Sequence, residues 1–152
     1  MKTNFLTKLT TIFFEIIFIP FWFVISIFPR KLNHIVLGEL MGEAIGENST
    51  FLSDQLSEVK PNLKIVHIVN TEELCIEHRK QGRECYKKWS LKGILATLRA
   101  KIIITSNSKR DVNKYFVNGA TLINLWHGSP IKKIMCDDEI HPPRTSNLIN
   151  FF

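Results

Sequence analysis

Short β-prone runs alternate with helix-like segments through most of the chain, and this alternation constrains the fold more than any other feature. Strands are predicted at residues 34–37, 63–69, 84–87, 100–105 and 121–126. Because helical segments of about ten residues separate most of these runs, the strands need crossover connections, which favour a parallel sheet with helices on both faces. The sequence therefore predicts an α/β fold with a Rossmann-like parallel sheet.

Capping residues mark where the predicted helices begin. The candidate N-caps are Asn48 or Ser49, Thr71 and Ser90. Each has a side-chain oxygen that can accept a hydrogen bond from a backbone N–H of the first helical turn. The apolar face of the helix after Ser90 is predicted to consist of Leu91, Ile94, Leu95 and Leu98. Residues 109–117 are predicted to form a further helix, and residues 121–126 a buried strand.

The first 31 residues are predicted to associate with a membrane. Residues 12–28 are apolar apart from Glu15, Pro20 and Ser26. As a helix they would be roughly 26 Å long, slightly less than the roughly 30 Å hydrocarbon core of a bilayer. Glu15 and Pro20 disfavour a membrane-spanning helix, whereas the aromatic residues 21–23 suit a membrane interface. We therefore favour a monotopic or re-entrant anchor over a single span and a cleaved signal peptide, and a buried core helix is the remaining alternative.

The formal net charge of +6 favours anionic partners such as anionic lipid or phosphorylated substrates. The chain has no nucleic-acid-binding motif and no interleaving of aromatic and basic residues, so no nucleic acid is expected as a partner. The cysteines are Cys75, Cys85 and Cys136. Their odd number and spacing argue against a disulfide framework or a zinc site and suit a reducing cytosol.

Four of the five histidines have no metal-ligand spacing. They are His34, His67, His78 and His141. We predict that these four histidines are not catalytic, and we expect no metal site, because zinc ligands occur in closely spaced pairs.

The remaining histidine, His127, follows the last predicted strand and precedes a predicted helix start. Ser129 is a favoured N-cap, and Pro130 suits the first helical position, where its missing N–H would be unpaired anyway. Lys132 and Lys133 then fall in the first turn, beside backbone N–H groups that favour a phosphate. A base next to such a site indicates phosphoryl-group transfer, and the alternative for His127 is a structural histidine bonded to the backbone.

Residues 125–134, Leu-Trp-His-Gly-Ser-Pro-Ile-Lys-Lys-Ile, also resemble a family signature. They are similar to the Trp-His-Gly-(Thr/Ser/Ile)-Pro-(Leu/Ile)-Lys motif of the CDP-glycerol:poly(glycerophosphate) glycerophosphotransferases, the teichoic acid and capsule polymerases of the cell wall. The resemblance extends to further segments, which are Pro29-Arg30, Val36-Leu37-Gly38, Asn48 with Phe51-Leu52, Ser90-Leu91-Lys92-Gly93 and Arg99-Ala100-Lys101.

The resemblance implies a GT-B fold, in which two Rossmann-like domains flank a cleft. It implies a transferase that moves glycerol phosphate, or a related polyol phosphate, from a CDP-activated donor to a growing lipid-linked polymer. His127 would be the general base. We further expect Gly128, Ser129, Lys132 and Lys133 to contact phosphate, and Gly38 to let a substrate approach the backbone. CDP-glycerol is the expected donor substrate, no cofactor is expected, and the expected location is the cytoplasmic face of the cell membrane.

The sequence departs from the family pattern at two places. Thr105-Ser106-Asn107 stands where the family often has an Asp/Phe-His pair. We also expect the family's carboxyl-terminal, donor-binding domain to be missing from this chain. We therefore expect a membrane-associating segment at 1–31, an acceptor-side domain at 32–136 and the start of a linker at 137–152. On this expectation the chain is inactive alone. Two alternatives are a truncated, non-catalytic anchored domain that binds acceptor polymer or a partner protein, and a phosphate-ligand-binding domain of unrelated function.

Overall fold

The computed structural model describes residues 20–43, 46 and 48–126. They form a five-stranded, entirely parallel sheet with strand order β3-β2-β1-β4-β5. The strands are β1 Lys31–Gly38, β2 Lys64–Val69, β3 Glu84–Lys87, β4 Ala100–Thr105 and β5 Thr121–Asn124. The predicted α/β, Rossmann-like sheet is confirmed.

Three helices connect the strands. Two of them begin directly after the predicted caps Thr71 and Ser90, whereas the first begins at Asn48, so the predicted caps Asn48 and Ser49 lie inside it. The helices are α1 Asn48–Val59, α2 Glu72–Lys80 and α3 Leu91–Arg99, and a 3₁₀ turn at Leu40–Gly42 precedes α1. The Thr71 hydroxyl accepts a hydrogen bond from the Leu74 N–H at 3.4 Å, and the Ser90 hydroxyl accepts one from the Gly93 N–H at 3.1 Å. These bonds satisfy donors that have no partner within the first turn of a helix.

The strand order creates a switch point between β1 and β4. The chain proceeds outward from β1 through β2 to β3, and then crosses back to place β4 on the other side of β1. Connections therefore diverge above the carboxyl ends of β1 and β4, which leaves a crevice where open α/β sheets bind their ligands.

The core has one layer on each face of the sheet. On one face, Val36, Val66 and Ile103 pack against α3 and against the β4–β5 connection. On the other face, Ile35, Leu37 and Ile104 form a cluster with apolar residues of α1. Because side chains of successive strand residues alternate between the two faces, the nearly unbroken apolar runs of β1 and β4 belong to strands covered on both sides.

The orientation of α3 differs from the prediction. Leu91 is 80% exposed and Leu95 is 43% exposed, whereas Gly93 and Thr97 are buried. A Cβ atom at Gly93 would lie 2.1 Å from the Lys87 carbonyl oxygen. This close approach of the helix backbone to β3 turns the small residues of α3 towards the sheet, so the prediction that Leu91 and Leu95 share a core-facing stripe was wrong.

Two other local predictions were wrong. Residues 109–117 are turns and bends rather than a helix. Here the Asp111 and Asn113 side chains accept hydrogen bonds from nearby backbone N–H groups, which competes with helix formation. The strand at Thr121–Asn124 is exposed rather than buried, because β5 is an edge strand among the strands that the structure describes.

The segment before β1 packs onto the sheet domain. Residues 20–26 are helical, and the Phe21 ring contacts the Phe116 ring edge-on at 5.8 Å. The Arg30 guanidinium donates to the carbonyl oxygens of Thr97 and Ala100 at 3.1 and 2.7 Å, and also to carbonyl oxygens of the β4–β5 connection. Arg30 thereby joins the start of β1 to the end of α3.

Within the described ranges, no helix is long and apolar enough to cross a bilayer. Residues 1–19 of the predicted membrane-associating segment lie outside those ranges. The part that is described has an exposed apolar surface, since Phe23, Val24, Ile27 and Leu32 are each more than half exposed.

Two buried imidazoles lie between the sheet and its helices. His67 of β2 is 3% exposed and His78 of α2 is 1% exposed, and their ring centroids are 4.4 Å apart. The His67 Nε2 atom is 3.0 Å from the Ser53 hydroxyl. Burial is the main cause that lowers the pKa of His67 to about 3, and the neighbouring His78 lowers it further. Burial also lowers the pKa of His78, so both rings are neutral at pH 7.

This pair predicts a loss of stability in mild acid. The unfolded chain binds a proton at His67 below its ordinary pKa of 6.5, whereas the folded chain binds one only near pH 3. Stability is therefore complete above pH 6.5 and falls as the pH decreases from 6.5 towards 3. We expect a loss on the order of 2 kcal/mol between pH 7 and pH 5, measured by urea denaturation.

His67→Gln, which keeps a hydrogen-bonding group but does not titrate, should reduce this pH dependence. The matched variant His141→Gln should keep it. Equal pH dependence in the wild type and in His67→Gln would contradict the assignment.

Candidate functional site

The carboxyl end of β1 is closely packed against the β4–β5 connection. A Cβ atom at Gly38 would lie 2.6 Å from the Asp111 carbonyl oxygen and 2.7 Å from a methyl carbon of Val112. The missing side chain of Gly38 thus makes room for the chain's own backbone. Contact between Gly38 and a substrate, which the sequence predicted, stays a prediction.

The loop that follows β1 has an unusual backbone conformation. Leu40, Met41 and Gly42 all have positive φ angles, of 38°, 60° and 88°. Such angles are unfavourable for residues with a Cβ atom, and they persist only where surrounding contacts hold them. Asn70 and Lys88 supply two of those contacts, since both donate to the Met41 carbonyl oxygen, at 2.9 and 2.6 Å.

Asp111 fixes this loop to the end of β4. One carboxylate oxygen accepts a hydrogen bond from the Met41 N–H at 2.9 Å. The other accepts from the N–H groups of Asn107 and Ser108 at 2.6 and 3.1 Å. The Asp111 residue is fully buried. Its carboxylate therefore joins the two loops on either side of the switch point through three backbone donors.

Glu39 fixes the same loop to the start of α1. Its carboxylate accepts hydrogen bonds from the Ser49 hydroxyl at 2.6 Å and from the Thr50 N–H at 2.5 Å. A carboxylate is favourable at a helix N-terminus, where backbone N–H groups are unpaired and the helix dipole is positive. Glu39 is only 4% exposed. Its buried carboxylate therefore fills the position at the start of α1 where an external anion could otherwise bind.

The chain leaves β5 at the same edge of the sheet. The Asn124 side chain donates to the Asn107 carbonyl oxygen at 2.8 Å. Trp126 then adopts a φ of 60°, and its carbonyl oxygen accepts a hydrogen bond from the Asn48 side chain at 2.8 Å. Strained residues of this kind cluster at functional sites. Asn48, at the start of α1, therefore holds the turn that immediately precedes His127.

Of the site residues that the sequence predicted, the structure describes Gly38. The others lie outside the described residues: His127, Gly128, Ser129, Lys132 and Lys133. The residues next to them in the described chain, Leu125 and Trp126, lie at the carboxyl edge, where the Leu125 N–H donates to the Thr105 carbonyl oxygen at 2.8 Å.

Sequence reasoning missed the residues that hold this edge together. They are Glu39, Ser106, Lys88 and Asp111. Asn48 was predicted as a helix cap, but its bond to Trp126 was not predicted. Burial lowers the pKa of Lys88, whose ammonium group donates to the Met41 and Arg110 carbonyl oxygens. A sequence signal existed only for Asp111, because Asp within Ser-Lys-Arg-Asp-Val can accept bonds from the preceding backbone N–H groups.

No group of three potential metal ligands occurs in the part of the chain that the structure describes. The two cysteines in that part, Cys75 and Cys85, are buried with their sulfur atoms 3.2 Å apart. Burial raises the pKa of both thiols, which disfavours the reactive thiolate form.

An open parallel sheet with loops anchored around its switch point defines a Rossmann-like α/β domain, a class in which ligands bind outside the carboxyl ends of the strands. A family model described as CDP-Glycerol:Poly(glycerophosphate) glycerophosphotransferase matches residues 21–150, so the chain belongs to this family. The match covers all five strands of the described fold and the Trp126-His127-Gly128 segment. No curated protein and no solved structure matches the chain significantly.

The arrangement around Asp111 predicts that Asp111→Asn is destabilising. The substitution replaces one acceptor oxygen by an NH₂ group, which would face at least one buried backbone N–H and leave it unpaired. Such a loss costs about 1–3 kcal/mol. The measurement is chemical denaturation of the two proteins.

Asp54→Asn is the matched control. Asp54 makes an ion pair with Arg83 at 2.7 Å, but its side chain is 45% exposed. Arg83 donates to both Asp54 oxygens, at 2.8 and 2.7 Å, and Asn keeps one of these two acceptors. Because the pair is partly solvent-exposed, we expect this substitution to cost about 1 kcal/mol or less. Equal destabilisation by the two substitutions would contradict the role given to Asp111.

Proposed function

We propose that this chain is the acceptor-side portion of a polyol-phosphate transferase of teichoic acid or capsule synthesis. It would act in the transfer of glycerol phosphate from CDP-glycerol to a membrane-linked acceptor, with His127 as the general base. The observation that carries the proposal is the strained turn at Trp126, which Asn48 holds at the ligand-binding edge one residue before His127. Membership in the glycerophosphotransferase family supplies the reaction class.

The proposed reaction is a displacement at phosphorus. The acceptor hydroxyl oxygen attacks the phosphorus that carries glycerol, and a new phosphodiester bond forms. The bond between this phosphorus and the bridging oxygen breaks, and CMP leaves with the electron pair. A neutral imidazole at His127 would accept the hydroxyl proton, a role that suits histidine because its ordinary pKa is close to neutral.

The groups that would stabilise phosphate charge follow His127 in the sequence. Ser129 and Pro130 would begin a helix whose free N–H groups face the phosphate. Lys132 and Lys133 would add positive charge, and Gly128 would allow a close approach of the backbone. The start of α1 is not part of this proposed phosphate site, because its first turn already binds the Glu39 carboxylate.

We also propose that the chain works at the cytoplasmic face of the cell membrane. The exposed apolar residues Phe23, Val24, Ile27 and Leu32 support this location, and Lys31 beside them would favour an anionic lipid surface. In this proposal, residues 1–31 associate with the membrane, residues 32–136 bind the acceptor and residues 137–152 lead to a donor-binding domain. Transfer would then require that domain, and the chain alone would be inactive.

A non-catalytic role is the second candidate. Thr105-Ser106-Asn107 replaces the Asp/Phe-His pair that many family members have, and Ser106 is fully buried with its hydroxyl bound to the Leu40 N–H. The chain would then be an anchored domain that binds acceptor polymer or a partner protein without transferring anything.

The test is the substitution His127→Ala. We expect transfer to fall by about 10²–10⁴-fold, which is the usual contribution of a general base. The measurement is incorporation of labelled glycerol phosphate from CDP-glycerol into a lipid-linked acceptor, using membranes that contain the chain and a donor-binding domain of a family member.

His141→Ala is the matched control and should transfer at the wild-type rate. Thermal unfolding of both variants shows whether the fold is retained. Transfer by His127→Ala within twofold of the wild type would refute the base assignment. Absence of transfer by the wild type, with acceptor binding retained, would favour the non-catalytic role.

A further inference from the structure

A second candidate binding site lies away from the carboxyl edge. Between α3 and the first residues of β1, β2 and β3 there is a cavity of about 200 Å³. Its floor is aliphatic and aromatic, and consists of Val36, Val66, Tyr86 and Ala96. Its rim is polar, and consists of His34, Lys64, Glu84, Lys92 and Arg99. The cavity contains none of the residues assigned to the transferase site.

The positive charges at the rim are only partly neutralised. Glu84 is the one acidic residue among those that line the cavity, and one of its carboxylate oxygens is already shared by two donors. These are the Lys64 ammonium group at 2.9 Å and the Tyr86 hydroxyl at 2.7 Å. Lys92 and Arg99 have no ion pair with any residue in the described ranges.

The positions of Lys92 and Arg99 on α3 place both side chains at the rim of the cavity. Lys92 and Arg99 are seven residues apart on α3, which is two turns or roughly 10 Å. Leu95 and Ala96 lie between them on the same face, so the two long side chains flank the cavity from either end. The Lys92 ammonium group lies 5.8 Å from the centre of the Tyr86 ring on the floor.

Burial and the cations at the rim lower the pKa of His34. Burial has the largest effect, followed by the nearby charges of Lys31, Lys64 and Arg99. Like charges gathered around a concave surface repel one another, and a bound anion would relieve this repulsion. Neutral ligands would gain nothing from the rim.

We propose that this cavity binds a small phosphate ester. Lys64, Lys92 and Arg99 contact the phosphate, and the carbon portion of the ligand contacts Tyr86, Leu95 and Ala96, the lining apolar residues that are not fully buried. The phosphate can belong to a soluble ester or to a lipid headgroup, since the two present the same chemistry. The proposal does not depend on His127 or on the transferase reaction.

The test uses glycerol 3-phosphate, with glycerol as the uncharged comparison, added to the full 152-residue chain. We expect glycerol 3-phosphate, but not glycerol, to shift the NMR signals of the His34 imidazole and of backbone amides in residues 64–66, 84–86 and 92–99. Equal shifts with glycerol, or shifts confined to other regions, would overturn the proposal.

The double variant Lys92→Gln/Arg99→Gln removes two rim charges and keeps good helix-forming residues. The matched control Lys60→Gln/Lys80→Gln removes two exposed charges outside the cavity. The rim variant should bind glycerol 3-phosphate at least tenfold more weakly, and the control should bind within twofold of the wild type. An equal loss in both variants would mean nonspecific attraction and would overturn the site.

Vesicles of phosphatidylglycerol distinguish the two sources of phosphate. If these vesicles displace glycerol 3-phosphate from the cavity while phosphatidylcholine vesicles do not, the ligand is a lipid headgroup. If neither kind of vesicle competes, the ligand is a soluble ester. Both results support the site and assign its source.

Discussion

The carboxylate of Asp111 makes the interactions on which the carboxyl edge of the sheet depends. It accepts three backbone hydrogen bonds, from the loop after β1 and from the loop after β4. Gly38 makes this possible, because any side chain there would collide with the Asp111 backbone. The loop after β1 adopts positive φ angles only in this setting, and Glu39 extends the fixed region to the start of α1. One buried acid and one missing side chain thus fix the position of two loops and one helix.

That fixed edge gives the family signature a defined starting point. Asn48 belongs to the helix that Glu39 holds, and it binds the carbonyl oxygen of Trp126. The residue before His127 is therefore connected, through side-chain hydrogen bonds, to the loop after β1. Rigid support of this kind matters for a general base, because small displacements of a catalytic group reduce the rate greatly. The proposed function follows from family membership combined with this placement.

The sequence predicted the parallel sheet, its five strands and the caps Thr71 and Ser90, because local periodicity and capping chemistry determine those features. It failed where long-range contacts decide the outcome. Gly93 approaches the Lys87 carbonyl closely, and that contact rotated α3 away from the expected leucine stripe. Asp111 bound distant and local N–H groups and kept residues 109–117 from forming a helix. The signature residues were recognisable from their pattern, whereas Glu39 was not, and Asn48 was predicted as a helix cap without its bond to Trp126. Glu39 and Asn48 each act through a partner at least ten residues away.

The central claim is that the acceptor binds at the carboxyl edge formed by β1, β4 and β5. Backbone amide hydrogen exchange, measured with and without a soluble glycerol-phosphate oligomer, tests this claim most directly. The account predicts slower exchange, on addition of the oligomer, at backbone amides of residues 39–42, 106–111 and 124–127. Unchanged exchange at all three segments, under conditions where the oligomer is bound, would contradict the account.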